Sequence, residues 1–223
     1  MIRFDNLPPE VMQAMCTPMH LVLSVPPSGP VSRTSSSSSV KSPYPTPPSS
    51  GTPSPSLPGT PLPQGVGSLY LGSLSAIEDP SMLRAHRVSV VVQVIDAPWI
   101  PPLDEKEFTC YKIPILDASS VDLKPYLEGV CGFIDGQVKS GRGVLVHCQQ
   151  GVSRSTAIVI AYLIRYRNMS YDEAFQFVLQ KRPCAKPNEG FVRALRDWDA
   201  LCKKMREGNA KPVRPEMPRR FTS

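Results

Sequence analysis

The sequence predicts an α/β domain with a central, mostly parallel sheet flanked by helices, and three observations predict it. Valine-rich runs at 88–95 and 143–147 show little polar alternation, the pattern of strands covered on both faces. Stretches with helical start signals stand between and after them, and strands alternating with helices pair in parallel. Fold-forming composition is also confined to one part of the chain, 68–204, with segments of different character on either side.

Residues 69–71 (Leu-Tyr-Leu) read as the opening strand, 88–95 as a buried one and 108–113 as a third. Pro125 stands in a first helical turn, where its missing N–H costs nothing, so 123–138 follows as a helix. Residues 143–147 (Gly-Val-Leu-Val-His) form the next buried strand. Residues 156–167 and 171–180 read as helices, the second opened by a Ser170-x-x-Glu173 capping box, and 188–205 as the last. The 223 residues suffice for one such domain with flanking segments at 1–67 and 205–223.

Apolar residues make up 41% of the chain, enough for a core, yet its 26 prolines far exceed ordinary usage. Twelve of them lie at 26–63, which is almost wholly Ser, Pro, Thr and Gly. Such a composition buries too little apolar surface to offset its conformational entropy, so the N-terminal region 1–67 is expected to be disordered. Ser42-Pro43, Thr46-Pro47, Thr52-Pro53, Ser54-Pro55 and Thr60-Pro61 resemble sites for proline-directed kinases, although a Ser/Thr/Pro-rich linker also contains such pairs by chance. Residues 7–16 read either as a short partner-binding helix or as a plain tail. The formal net charge of +6 is unevenly spread: three basic and two acidic residues over 1–67, 15 of each over 68–202, and seven against two over 203–223. A neutral middle argues against a nucleic-acid-binding domain. The basic tail from Lys203 to Arg220 reads as solvated, with an acidic partner or nuclear entry as alternatives.

Six cysteines (Cys16, Cys110, Cys131, Cys148, Cys184 and Cys202) contain no CxxC pair and have no His-rich partner segment, which suits neither a zinc site nor a disulfide framework. A reducing compartment, cytoplasmic or nuclear, is the expectation. No apolar run reaches the length of a membrane span. The most apolar N-terminal stretch, 11–25, is interrupted by Pro18 and His20 and makes a poor secretory signal.

The segment Val146-His147-Cys148-Gln149-Gln150-Gly151-Val152-Ser153-Arg154-Ser155 carries the chemistry. A buried strand ends, a loop holds a cysteine and, six positions on, an arginine, and a helix begins. Ligands of open α/β sheets bind at the carboxyl ends of the strands, where this loop must lie. Amide N–H groups of a tight loop entering a helix converge and carry positive potential, which stabilises a dianionic phosphate. It also stabilises a thiolate. Gly151 permits close backbone approach, and Arg154 supplies a planar fork for two phosphoryl oxygens.

His-Cys-x-x-Gly-x-Ser-Arg-Ser at 147–155 resembles in full the active-site pattern of the dual-specificity branch of the protein tyrosine phosphatases. The resemblance extends over about 68–201. Leu69-Tyr70-Leu71-Gly72 is similar to that family's opening strand, Ile113 to Asp117 to its general-acid segment, Phe133-Ile134-Asp135 to a piece of the next helix, and Lys186 to Phe191 to its Pro-Asn-x-Gly-Phe stretch. The resemblance implies a protein tyrosine phosphatase-like fold and a two-step hydrolysis through a phosphocysteine, with no metal and no cofactor. It makes Cys148 the nucleophile, Arg154 the phosphate clamp, Asp117 the general acid and Ser155 the assistant to thiolate departure. The backbone of Gln149, Gln150, Gly151, Val152, Ser153 and Arg154 would form the substrate cradle. His147 reads as an anchor of the loop, and a helix cap is the alternative reading of Ser155.

Asp122 and Asp96 compete with Asp117: the first reads better as a cap before the proline-started helix, and the second ends a buried strand. The implied substrate is a phosphoprotein, with a protein kinase compatible but unsupported, and neither nucleic acid nor membrane as partner. Alternatives are a catalytically weak phosphoprotein-binding pseudophosphatase, or a phosphatase of an inositol lipid or an RNA 5′-end. The loop's variable positions, Gln149, Gln150, Val152 and Ser153, are uncharged, which favours a phosphoprotein. The paired glutamines themselves have no explanation in the sequence.

Overall fold

A computed structural model describes residues 7–26, 65–100 and 102–209. Most of the Ser/Pro-rich stretch and the end of the basic tail lie outside the described residues, as do the Ser-Pro and Thr-Pro pairs.

Five strands form one sheet: β1 (Met19–Val25), β2 (Gly67–Gly72), β3 (Val88–Gln93), β4 (Thr109–Lys112) and β5 (Gly143–His147), in the order β1-β2-β5-β3-β4. All neighbours pair in parallel except β1 and β2. Among the described residues six α-helices accompany them: α1 (Pro9–Cys16), α2 (Pro80–Ala85), α3 (Lys124–Lys139), α4 (Arg154–Tyr166), α5 (Tyr171–Lys181) and α6 (Glu189–Asn209). Leu69, Leu71, Val90, Val92, Val144 and Val146 point to the larger core, shared with α3 to α6. Tyr70, Val91 and Leu145 point the other way, onto Leu83 of α2 and Phe108. Both faces are therefore covered, which explains the missing polar alternation in the valine-rich runs. No helix among the described residues is long and apolar enough to cross a membrane.

Helix α4 is the centre of the helical layer, with every residue from Ser155 to Ile164 buried. A helix apolar all round must be enclosed by other elements. The central strands end level, Gly72 and Gln93 both being paired with His147. Carboxyl ends, the following loop and the start of α4 thus converge on one place.

The boundaries differ from expectation at both ends. Part of the region expected to be disordered is folded: α1 precedes β1, which pairs antiparallel with β2 along the sheet edge. The physical reason is burial, since Ala14, Met19 and Val22 are 3%, 8% and 2% exposed. At the other end α6 continues to Asn209, past the expected end of the domain. Helix α2, not anticipated, is started by Asp79, whose carboxylate accepts from the Ser81 and Met82 amides, and by Pro80 in its first turn. Helix α4 begins at Arg154, two residues early, which places Ser155 inside its first turn rather than at its cap.

Candidate active site

Between the end of β5 and the start of α4 lies the loop 148–153. Gly151 has φ +68, and a Cβ there would stand 2.6 Å from Gly72 O. The turn therefore requires glycine.

The carbonyls of residues 148–152 are each bound by a group of the surrounding scaffold. Cys148 O accepts from His147 Nδ1 (3.2 Å), and Gln149 O from the Leu74 amide (3.0 Å). Gln150 O accepts from Arg182 (3.0 Å), and Gly151 O from Arg182 Nε (2.8 Å) and Thr156 Oγ1 (3.4 Å). Val152 O accepts from the Lys186 amide (2.8 Å). A trans peptide aims the next N–H opposite to its C=O. Carbonyls drawn outward thus turn the amides of residues 149–153 inward. Gly151 N–H shows the result, donating to Cys148 Sγ at 3.3 Å.

Cys148 is 1% exposed, and Ser155 Oγ donates to its sulfur at 3.2 Å. His147 is fully buried, and burial pushes its pKa down to about 4. Its neutral ring donates from Nδ1 to Cys148 O, because a carbonyl only accepts. This is the anchoring role expected of it.

Arg154 opens α4, its side chain 11% exposed, and donates from one terminal nitrogen to Ile115 O at 3.4 Å. Its Nε stands 3.6 Å from Asp117 Oδ2, an ion pair without a formed hydrogen bond. Asp117 is held more firmly by its other oxygen, which accepts from Ser153 Oγ (2.7 Å) and Asn188 Nδ2 (2.8 Å). Asn188 is itself fixed, its amide donating to Ser153 Oγ at 3.1 Å and its Oδ1 accepting from the Phe191 amide at 3.0 Å. Asp117 and Arg154 both line a cleft of about 480 Å³, together with Cys148, Gln150, Val152 and Ser153.

Cys148, Arg154, Asp117 and Ser155 are thus brought together, with Gln150, Gly151, Val152 and Ser153 around them. Gln149 contributes backbone alone, since its exposed side chain does not line the cleft. Asp122 is exposed and accepts from the Lys124 amide at 3.0 Å, holding the start of α3. Asp96 lines a separate cavity of about 250 Å³. Sequence reasoning missed the bonds of Asn188 to Asp117 and Ser153, and the whole contribution of Arg182. The Pro-Asn-x-Gly-Phe stretch signalled the first; nothing signalled the second.

A model of the dual specificity phosphatase catalytic domain matches residues 69–200. Dual specificity protein phosphatase 1 of Arabidopsis thaliana is 36% identical over 131 residues, covering 59% of this chain and 65% of that protein. Dual specificity protein phosphatase 1B of the same species is 35% identical over 142 residues, covering 64% and 81%. Among solved structures, human DUSP28 aligns with a TM-score of 0.58 at 32% identity, covering 61% of this chain and 94% of that one. The chain belongs to the dual specificity phosphatase family, hydrolases of the protein tyrosine phosphatase superfamily, and stands with its atypical members.

Proposed function

We propose that the chain hydrolyses phosphotyrosine and phosphoserine or phosphothreonine of a protein substrate through a phosphocysteine intermediate. One observation carries the reading: a nearly buried sulfur, Cys148 Sγ, receives a backbone N–H and the Ser155 hydroxyl beneath Arg154 and Asp117. The inward amides and Arg154 hold the non-bridging oxygens, whose charge is spread further as phosphorus is transferred. The thiolate forms the P–S bond while the P–O bond to the substrate breaks, and Asp117 gives its proton to the departing oxygen. The same carboxylate then takes a proton from the water that attacks phosphorus. Ser155 donates to the sulfur as it leaves.

Among the described residues that line the cleft, none is aromatic, so no ring stacks on a phenyl group to select it over an alkyl chain. Lys186 is the lining cation besides Arg154, set against Asp117 and Glu189. A nearly balanced rim suits one phosphate on a protein side chain better than an inositol lipid or an RNA end. Six free cysteines support action in a reducing compartment, cytoplasmic or nuclear.

Cys148→Ser tests the reading. It should abolish turnover of p-nitrophenyl phosphate and of phosphopeptides while phosphopeptides still bind, and the proteins it retains would identify the substrate. An undiminished rate in that variant refutes the nucleophile; a wild-type chain that binds phosphopeptides without turning them over refutes the enzyme.

A further inference from the structure

Arg182, just past the end of α5, is the largest fully buried side chain among the described residues, at 0% exposure. None of the ion pairs among the described residues includes it. A buried cation without a carboxylate is costly unless its donors are all well placed. Here they are placed in two directions. Nε and one terminal nitrogen donate to Gly151 O and Gln150 O in the phosphate loop, at 2.8 and 3.0 Å. The other terminal nitrogen donates to Thr17 O at 3.0 Å and His20 Nδ1 at 2.7 Å. A guanidinium only donates, so His20 Nδ1 carries the lone pair. Burial, and then Arg182 itself, lower the His20 pKa to about 4, which keeps that lone pair free at neutral pH.

We propose that Arg182 is a positioning residue of the phosphate loop, and that Thr17 and His20 complete its seat. The N-terminal segment thereby becomes part of the catalytic apparatus, although it lies outside the residues 69–200 that define the family's domain. Two peptides, 150–151 and 151–152, have their carbonyls fixed by this one side chain, and their N–H groups belong to Gly151 and Val152. Loss of His20 as an acceptor leaves one N–H of this buried terminal nitrogen unpaired while Thr17 O still accepts from the same nitrogen. The side chain then shifts to satisfy it and releases the loop carbonyls, so two amides lose their aim at the phosphate. A parallel argument covers charge: the guanidinium stands behind the loop and adds positive potential to the cradle without touching the ligand.

The inference rests on the phosphatase reading for its kinetic readout, so a binding readout accompanies it. Measured on the full chain well below the melting temperature, His20→Ala should lower kcat on p-nitrophenyl phosphate by about 10-fold, less than removal of a whole oxyanion donor. It should weaken binding of inorganic phosphate, measured directly by calorimetry, in step. His20→Gln, whose side-chain carbonyl is again an acceptor, should recover most of both. Arg182→Lys, which keeps the charge and loses the fork, should cost about 10²-fold if it folds. Leu21→Ala, exposed on the same strand, should change neither value. Wild-type kcat and phosphate affinity in His20→Ala, or equal losses in His20→Ala and His20→Gln, overturn the proposal. An inactive wild-type chain overturns the phosphatase reading instead and leaves the phosphate-binding comparison to decide this one.

Discussion

Asp117→Asn separates the proton from the geometry. The two bonds that hold Asp117 run to one oxygen, from Ser153 Oγ at 2.7 Å and Asn188 Nδ2 at 2.8 Å. An asparagine carbonyl accepts both, so the loop keeps its place. The other oxygen pairs with Arg154 at 3.6 Å on a side chain that is 35% exposed, and a pair so hydrated contributes about 1 kcal/mol at most. Stability should therefore hardly move. What disappears is the proton, and a positioned general acid is worth about 10²–10⁴-fold, or about 3–5 kcal/mol of barrier. That loss should appear in full on a phosphothreonine peptide, whose alkyl oxygen leaves poorly without protonation. On p-nitrophenyl phosphate, whose leaving group departs as a stable anion, the loss should stay below about 10-fold, and the basic limb of the pH–rate profile should vanish. The assay is steady-state kcat on both substrates for wild type, Asp117→Asn and Asp122→Asn. Asp122→Asn, whose side-chain carbonyl still accepts from the Lys124 amide, should change stability little and leave the rates alone. Equal losses on both substrates for Asp117→Asn, or a leaving-group dependence in Asp122→Asn, would refute the assignment.

Three further outcomes follow from the same structure. Arg154→Lys should lower kcat by at least about 10²-fold, since an ammonium cannot present two parallel donors; a nearly normal rate would reduce the clamp to a point charge. Val22→Ala removes two buried methyl groups from β1 and should cost about 1.5–3 kcal/mol, lowering the melting temperature by about 3–10 °C, whereas Leu21→Ala should lie near zero; equal small shifts would detach β1 from the core. His20 and His147 are both held near a pKa of about 4, below the ordinary 6.5, so the unfolded chain binds protons that the folded chain refuses. Their contribution is full above about pH 6.5 and is lost as pH falls towards 4, which denaturant titrations across that window should show as a declining unfolding free energy.

The sheet and the loop were legible because their signals are carried by side-chain identity. Valine-rich runs at β3 and β5 mark strands covered on both faces, and Cys148, Gly151 and Arg154 are residue types that few structural roles demand together. Strand β1 was not legible, and its bulge explains why. The register shifts between Leu21 and Leu23, so its buried positions, Met19 and Val22, fall three apart instead of alternating. Its neighbours in sequence, Pro18 and the Ser/Pro-rich stretch, argued for a tail. Helix α2 had a readable start in Asp79-Pro80 but is too short to display a period. Arg182 had no signal because its acceptors include three backbone carbonyls, and a carbonyl is the same atom in every residue.

That anonymity has a consequence for Gln149 and Gln150. The cradle is composed of main-chain atoms whose directions are imposed from behind, by Leu74, Arg182, Thr156 and Lys186. Both glutamine side chains are exposed and take no part in it. On the proposed reading, holding the phosphate falls to peptide groups together with Arg154, and recognising the molecule that bears it falls to exposed side chains such as these two glutamines. Substitution of either glutamine leaves the peptide groups and Arg154 in place, so the loop can be given a new preference without losing its chemistry.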